Sequence, residues 1–214
     1  VRRSAAFILA SFAAACATAP PPVPLREPEA ARIVEAWEKR RAEAFAPRRL
    51  KALFRGEAAP KIGTVVRGYL SIFWDGTTLV WKASAPLAGN AREGRLRRGG
   101  GGAGEASPFP GKLTQDDALG ALLGVLDLSA RDRPVEKIGE EIRLKLDDAG
   151  REAFLAPGGQ VKALRFPGGT LVTLEAASPF PLRLKAKGPS GSADLVLESW
   201  AKWSEGETTP GGGA

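Results

Sequence analysis

Residues able to do chemistry are few. The chain has 214 residues, a single cysteine and no histidine. Without histidine there is no Ser-His-Asp triad, no Cys-His pair and no histidine metal site. The acids that remain as general acid–base candidates are Asp116, Asp117, Glu140 and Glu141. Asp116 and Asp117 belong to Thr114-Gln-Asp-Asp117, which has the form of a helix capping box, and negative charge is favoured at a helix start. Capping therefore explains them better than catalysis. Glu140 and Glu141 sit beside a strand without a visible partner, and a catalytic site needs a constellation rather than isolated acids. The glycine-rich run from Gly99 to Gly104 lacks the lysine-serine ending of a phosphate cradle, so it reads as a loop. The chain is not expected to be an enzyme, and no metal or cofactor is called for.

The elements around these residues are mostly strands. Apolar residues make up 43% and charged residues 26%, ordinary values for a folded domain. The formal charge of +7 tolerates an anionic partner without requiring nucleic acid, and none is expected. The stretch from Gly68 to Gly89 reads as a β-hairpin turning at Asp75-Gly76 in a type I′ turn. That turn pairs Trp74 with Thr77, Ile72 with Leu79 and Leu70 with Trp81. One face then carries Leu70, Ile72, Trp74, Leu79 and Trp81. Before it, Ala30, Ile33, Val34, Trp37, Ala44 and Phe45 recur at helical spacing, with Arg41 interrupting the stripe. Strands are expected over 49–55, 64–70 and 92–98. After Thr114, Leu119, Leu122, Leu123 and Leu126 form the stripe of a second helix, in which Gly120 and Gly124 each cost roughly 1 kcal/mol against alanine. Further strands over 141–147, 160–166, 170–175, 181–187 and 192–203 complete one large antiparallel sheet, curved or nearly closed.

The first residues have the grammar of export. Arg2-Arg3 precede an apolar, small-residue stretch from Ala5 to Ala15, too short for a membrane span, so 1–15 reads as a signal peptide. Losing it removes two of the 31 basic residues and leaves a net charge of +5. Ala13-Ala14-Ala15-Cys16 is similar to the lipobox of bacterial lipoproteins, with alanine at the usual leucine position. That resemblance implies a diacylglyceryl group on the Cys16 sulfur and an N-acyl group on its amine, so the sole thiol is consumed. Residues 16–27 read as a lipidated, Pro-rich tether without ladder hydrogen bonds. Residues 28–204 read as one domain, and 205–214 as a disordered tail.

In element order, residues 28–203 resemble the outer-membrane lipoprotein receptor family (LolB), and more loosely the periplasmic carrier (LolA) superfamily. The carriers of the resemblance are the lipidated start, the first helix and the Phe73-Trp74 strand ending. Ala85-Pro-Leu-Ala-Gly89 is similar to that family's Pro-Leu-Gly loop with one alanine inserted, and the helix at Thr114 and the strand from Leu195 to Trp203 also fit. The resemblance implies an α+β fold, an unclosed half-barrel with helices covering an apolar cavity walled by Leu70, Ile72, Trp74, Leu79, Trp81, Leu119, Leu122 and Leu123. It implies Leu87 as a membrane-inserting residue and acyl chains of other lipoproteins as cargo. It further implies a LolA-like carrier as donor, and a monomer anchored to the outer membrane and facing the periplasm. A lipid- or protein-sensing lipoprotein of the same fold, without transfer, is the alternative. Arg41, Arg67 and Lys82 are weighed as polar groups at a cavity mouth, with solvated surface the favoured role.

Overall fold

The computed structural model describes residues 21–85, 91–100, 107–109, 113–175 and 177–203. Within them the chain is α+β. Its strands are β1 (Val23–Pro24), β2 (Leu50–Pro60), β3 (Val66–Trp74), β4 (Thr78–Ser84), β5 (Arg92–Arg97) and β6 (Val135–Ile138). They continue as β7 (Glu141–Lys145), β8 (Glu152–Leu155), β9 (Val161–Arg165), β10 (Leu171–Glu175), β11 (Arg183–Gly188) and β12 (Gly191–Lys202). Two helices, α1 (Glu29–Ala44) and α2 (Gln115–Leu123), lie between them. All twelve strands form one antiparallel sheet in the order β1-β6-β7-β8-β9-β10-β11-β12-β2-β3-β4-β5. Its outer strands, β1 and β5, do not pair, so the barrel stays unclosed.

Alternation builds the wall. Leu50, Ala52 and Phe54 of β2, Leu70, Ile72 and Trp74 of β3, and Leu79 and Trp81 of β4 are buried on the concave face, and their neighbours point outward. The hairpin register differs from the expected one by two residues: Trp74 pairs with Leu79, Ile72 with Trp81 and Leu70 with Ala83. The turn centres on Gly76-Thr77 instead of Asp75-Gly76. The Asp75 carboxylate explains the shift, because its Oδ1 accepts from the Thr77 amide (2.8 Å), the Thr77 hydroxyl (2.9 Å) and the Thr78 amide (2.6 Å). Asp75 thus closes the loop from outside it. A shift of two leaves every side chain on its expected face, since the period is two.

The Pro-rich segment read as a free tether is in part a strand. Val23 pairs with Lys137 and Pro24 with Glu136, and the Leu25 amide donates to the Val135 carbonyl at 2.9 Å. Proline is tolerated because β1 is an edge, where the missing N–H faces no partner. β6 and β8 are also absent from the sequence reading.

The helices fill the concave side. Ile33, Trp37 and Ala44 of α1 are buried, Trp37 Nε1 donates to the Leu128 carbonyl (2.9 Å), and Trp74 Nε1 donates to the Ala44 carbonyl (3.2 Å). Phe45 meets Trp74 edge-on at 6.0 Å. Arg41, the break in the stripe, donates to Glu38 and to Asp127. In α2 every residue from Asp117 to Leu123 is buried. Thr114 caps it, its hydroxyl oxygen accepting from the Asp117 amide at 3.1 Å. Gly124 ends it in the left-handed conformation, φ 70°, a setting that favours glycine. Gly120 is there for packing: a methyl group would stand 2.6 Å from a Leu126 methyl.

Candidate functional site

The concave face changes character along its length. Toward the β3–β4 turn it carries Trp74, Trp81, Phe54 and Ile72, all within the packed core under the end of α1. Toward the opposite rim the same inward positions continue as Gly56 and Ala58 on β2, Gly68 and Val66 on β3, Ala83 on β4 and Ala193 on β12. Large side chains give way to small ones, and a pocket of about 130 Å³ opens where they do. Ala58, Val66, Leu70, Ala83, Ala85, Ala193, Leu195 and Pro108 supply its apolar wall, with Glu57 and Arg92 among the polar residues on it.

Gly56 and Gly68 face each other across β2 and β3 and set the bend behind this pocket. A methyl group on Gly56 would lie 2.1 Å from the Asp194 carbonyl oxygen of β12. One on Gly68 would lie 2.1 Å from the Ser84 carbonyl oxygen of β4. Each backbone thus turns its missing side chain into the neighbouring strand, which lets the sheet curl tightly. The same two glycines also line a second, open groove on the convex side, of about 550 Å³, with Arg55, Arg67, Arg183, Asp194 and Tyr69. There Arg183 makes a two-pronged pair with Asp194, at 2.9 and 2.7 Å, and hydrogen bonding from Arg183 holds the Asp194 carboxyl below its ordinary range.

Ion pairs, which the sequence reading did not find, fix the helices that roof the concave face. Asp117, nearly fully buried on α2, accepts from Arg151 Nε at 2.6 Å and Nη2 at 3.1 Å. Arg151 also donates from Nη1 to Asp147 at 2.8 Å, and its hydrogen bond with Asp117 raises its pKa. Glu38 of α1 is held from three sides. Burial alone would push its carboxyl up, but donation from the Ala130 amide, the Ser129 hydroxyl and Arg41 brings it below the usual carboxylate range. Arg98, at the end of β5, donates to both oxygens of Asp127, the acid that Arg41 also holds.

The eight residues expected to wall a cavity, Leu70, Ile72, Trp74, Leu79, Trp81, Leu119, Leu122 and Leu123, are all brought together and all buried. Leu70 lines the pocket, and all eight belong to the core cluster. Leu87 and Cys16 lie outside the described residues. Arg67 is exposed and bonds Glu57 at 3.2 Å, while Lys82 stands exposed on the convex face. Asp116 accepts from the Gly99 amide at 2.8 Å. The small-residue pocket went unread, although its signal was present: stepping two residues onward from Leu70 or Trp81 reaches Gly68, Val66, Ala83 and Ala85. The Asp117–Arg151 and Glu38–Ala130 contacts join residues far apart in sequence and had no local signal.

The fold is therefore an open antiparallel half-barrel whose apolar concave face is packed by two helices and opens in a small pocket at one rim. No family model matches the sequence, and no curated protein matches it. Among solved structures, a LolA superfamily protein from Nitrosomonas europaea is similar at 10% identity and a TM-score of 0.42, covering 79% of this chain and 93% of that one. A domain described as a putative outer membrane lipoprotein-sorting protein from Vibrio parahaemolyticus is similar at 11% identity and a TM-score of 0.41, over 82% and 94%. A DUF1329 family protein from Desulfovibrio piger is similar at 6% identity and a TM-score of 0.43, over 83% and 95%. Among the described residues no helix is long and apolar enough to cross a membrane.

Proposed function

We propose that this chain is an outer-membrane lipoprotein that takes acyl chains of other lipoproteins into its half-barrel and passes them to the outer membrane. The observation that carries the reading is the apolar pocket at the small-residue rim, continuous with the buried wall through Leu70. Burying four methylenes there contributes about 3 kcal/mol, at about 0.8 kcal/mol each, so even the tip of an acyl chain binds usefully. The pocket, at about 130 Å³, is smaller than the roughly 300–1,000 Å³ of typical ligand sites, so a full chain enters only as the packed core beyond Leu70 gives way. In this reading a LolA-like carrier supplies the cargo, the lipid on Cys16 anchors the chain, and Leu87 assists release into the bilayer. The protein works as a monomer, with no catalysis and no cofactor. The filled state of the core favours one second reading, a sensor that binds an acyl tip without transferring it.

The test is a titration with a triacylated lipoprotein and its unacylated twin, followed by tryptophan fluorescence and then addition of liposomes. Binding of the acylated form alone is expected, weakened at least about tenfold in Ala83→Leu, which fills the pocket with groups worth about 2 kcal/mol of lost contact. Delivery to liposomes is expected to weaken in Leu87→Glu. Binding without delivery supports the sensor, and no acyl-dependent binding refutes both readings.

A further inference from the structure

Three of the eight large apolar side chains left exposed among the described residues, Ile62, Val65 and Val66, lie together at the tip of the β2–β3 hairpin. Ile62, at its tip, is 90% exposed. Single exposed apolar residues are ordinary, but a cluster on a projecting tip is not. The tip is braced from below, since Pro60 pairs with Gly191 and the Lys61 amide donates to the Ser190 carbonyl at 2.9 Å. Ile62 is thus presented on a three-strand base of β3, β2 and β12.

The charge around it has one dominant sign. Lys61 adjoins Ile62, and strand registers bring Arg67, opposite Glu57, and Lys187, which lies level with Ala59 across β12, to the same rim. The acids at this level, Glu57 and Asp194, are already bonded to Arg67 and to Arg183. We propose that this rim docks on an anionic bilayer, with Ile62 entering it and Lys61 and Arg67 meeting lipid phosphates. A bilayer fits better than a protein partner. Three small apolar side chains at a hairpin tip beside cations offer far less than the roughly 1,000 Å² that a specific protein interface needs. Partial burial of one side chain together with cations near anionic headgroups is how interfacial segments hold to membranes. The inference deepens the lipid-handling reading, because Val66 and Ala85 line the pocket on this same rim, and docking brings the pocket to headgroup level.

The test uses the full chain with Cys16→Ser, so that Ile62→Cys carries the sole thiol, labelled with an environment-sensitive dye. Lys137→Cys on β6, exposed on a distant strand, is the control. Vesicles of phosphatidylethanolamine with phosphatidylglycerol should shift the dye at 62 to the blue and expose it to quenchers placed on the acyl chains. The dye at 137 should stay unchanged, and phosphatidylcholine vesicles should have little effect. Partitioning should fall roughly fivefold for each of Lys61→Gln and Arg67→Gln. No shift at 62, an equal shift at 137, or an equal shift on phosphatidylcholine overturns the proposal. Acyl binding in solution by an Ile62→Ser chain should remain; its loss in the parent chain as well would refute the lipid reading separately, leaving the docking result to stand alone.

Discussion

The buried pair between α2 and the β7–β8 connection offers a prediction in which the two partners must behave unequally. The Asp117 side chain is 4% exposed and takes bonds to both its oxygens from Arg151, whereas the Arg151 side chain is 20% exposed and divides its guanidinium between Asp117 and Asp147. Arg151→Met strands a carboxylate in the interior, which costs about 3–5 kcal/mol for a broken buried pair. Asp117→Asn keeps the shape and one acceptor, loses one of the two bonds from Arg151, and leaves Arg151 with Asp147, so its cost is about 1–2 kcal/mol, that of one lost hydrogen bond. For a chain of this size 1 kcal/mol moves the midpoint by about 2–4 °C, giving losses of roughly 6–20 °C for Arg151→Met and 2–8 °C for Asp117→Asn. Thermal and urea unfolding followed by circular dichroism would measure both. Equal losses, or a larger loss for Asp117→Asn, would refute the argument that Asp117 has no substitute partner while Arg151 does.

Two further outcomes are expected. Gly68→Ala should destabilise by about 1–3 kcal/mol, since its methyl would meet the Ser84 carbonyl at 2.1 Å, while Gly158→Ala, with open space around it, should stay within about 0.5 kcal/mol; urea midpoints decide between them. Glu38 titrates in the folded state below its ordinary value of 4.5. Its contribution to stability is therefore complete above that value and is lost as pH falls through the lower, folded one. Glu38→Gln should flatten the fall in stability below pH 4.5, and an unchanged acid limb would count against its role.

Much of the fold was legible because the alternation of large apolar residues in β2, β3, β4 and β7 admits one inward face. The face assignment of Leu70, Ile72, Trp74, Leu79 and Trp81 survived a register error, since a slip of two preserves sidedness. The slip itself came from Asp75, whose three accepted hydrogen bonds outweigh the usual preference of an Asp-Gly pair for the turn centre. β1 escaped notice because prolines mask an edge strand, and β6 and β8 because strands of four residues are too short to show a period. The pocket was hidden for another reason. Its wall is made of alanine and glycine, which carry no hydrophobic signal of their own and acquire meaning only beside the large residues they follow.

A barrel that stops short of closure keeps two free strand margins, and such margins invite strand-by-strand polymerisation. On one side the margin is β1, two residues long and half proline. On the other it is β5, where Gln115 Oε1 of α2 accepts from the Arg97 amide at 3.1 Å and Asp116 accepts from the Gly99 amide. The helix that fills the interior is thus also the guard of that margin. A ligand bulky enough to displace α2 would strip the guard at the moment of loading. If acyl loading of the kind proposed displaces α2, occupancy of the half-barrel and its resistance to aggregation are tied to one nine-residue helix.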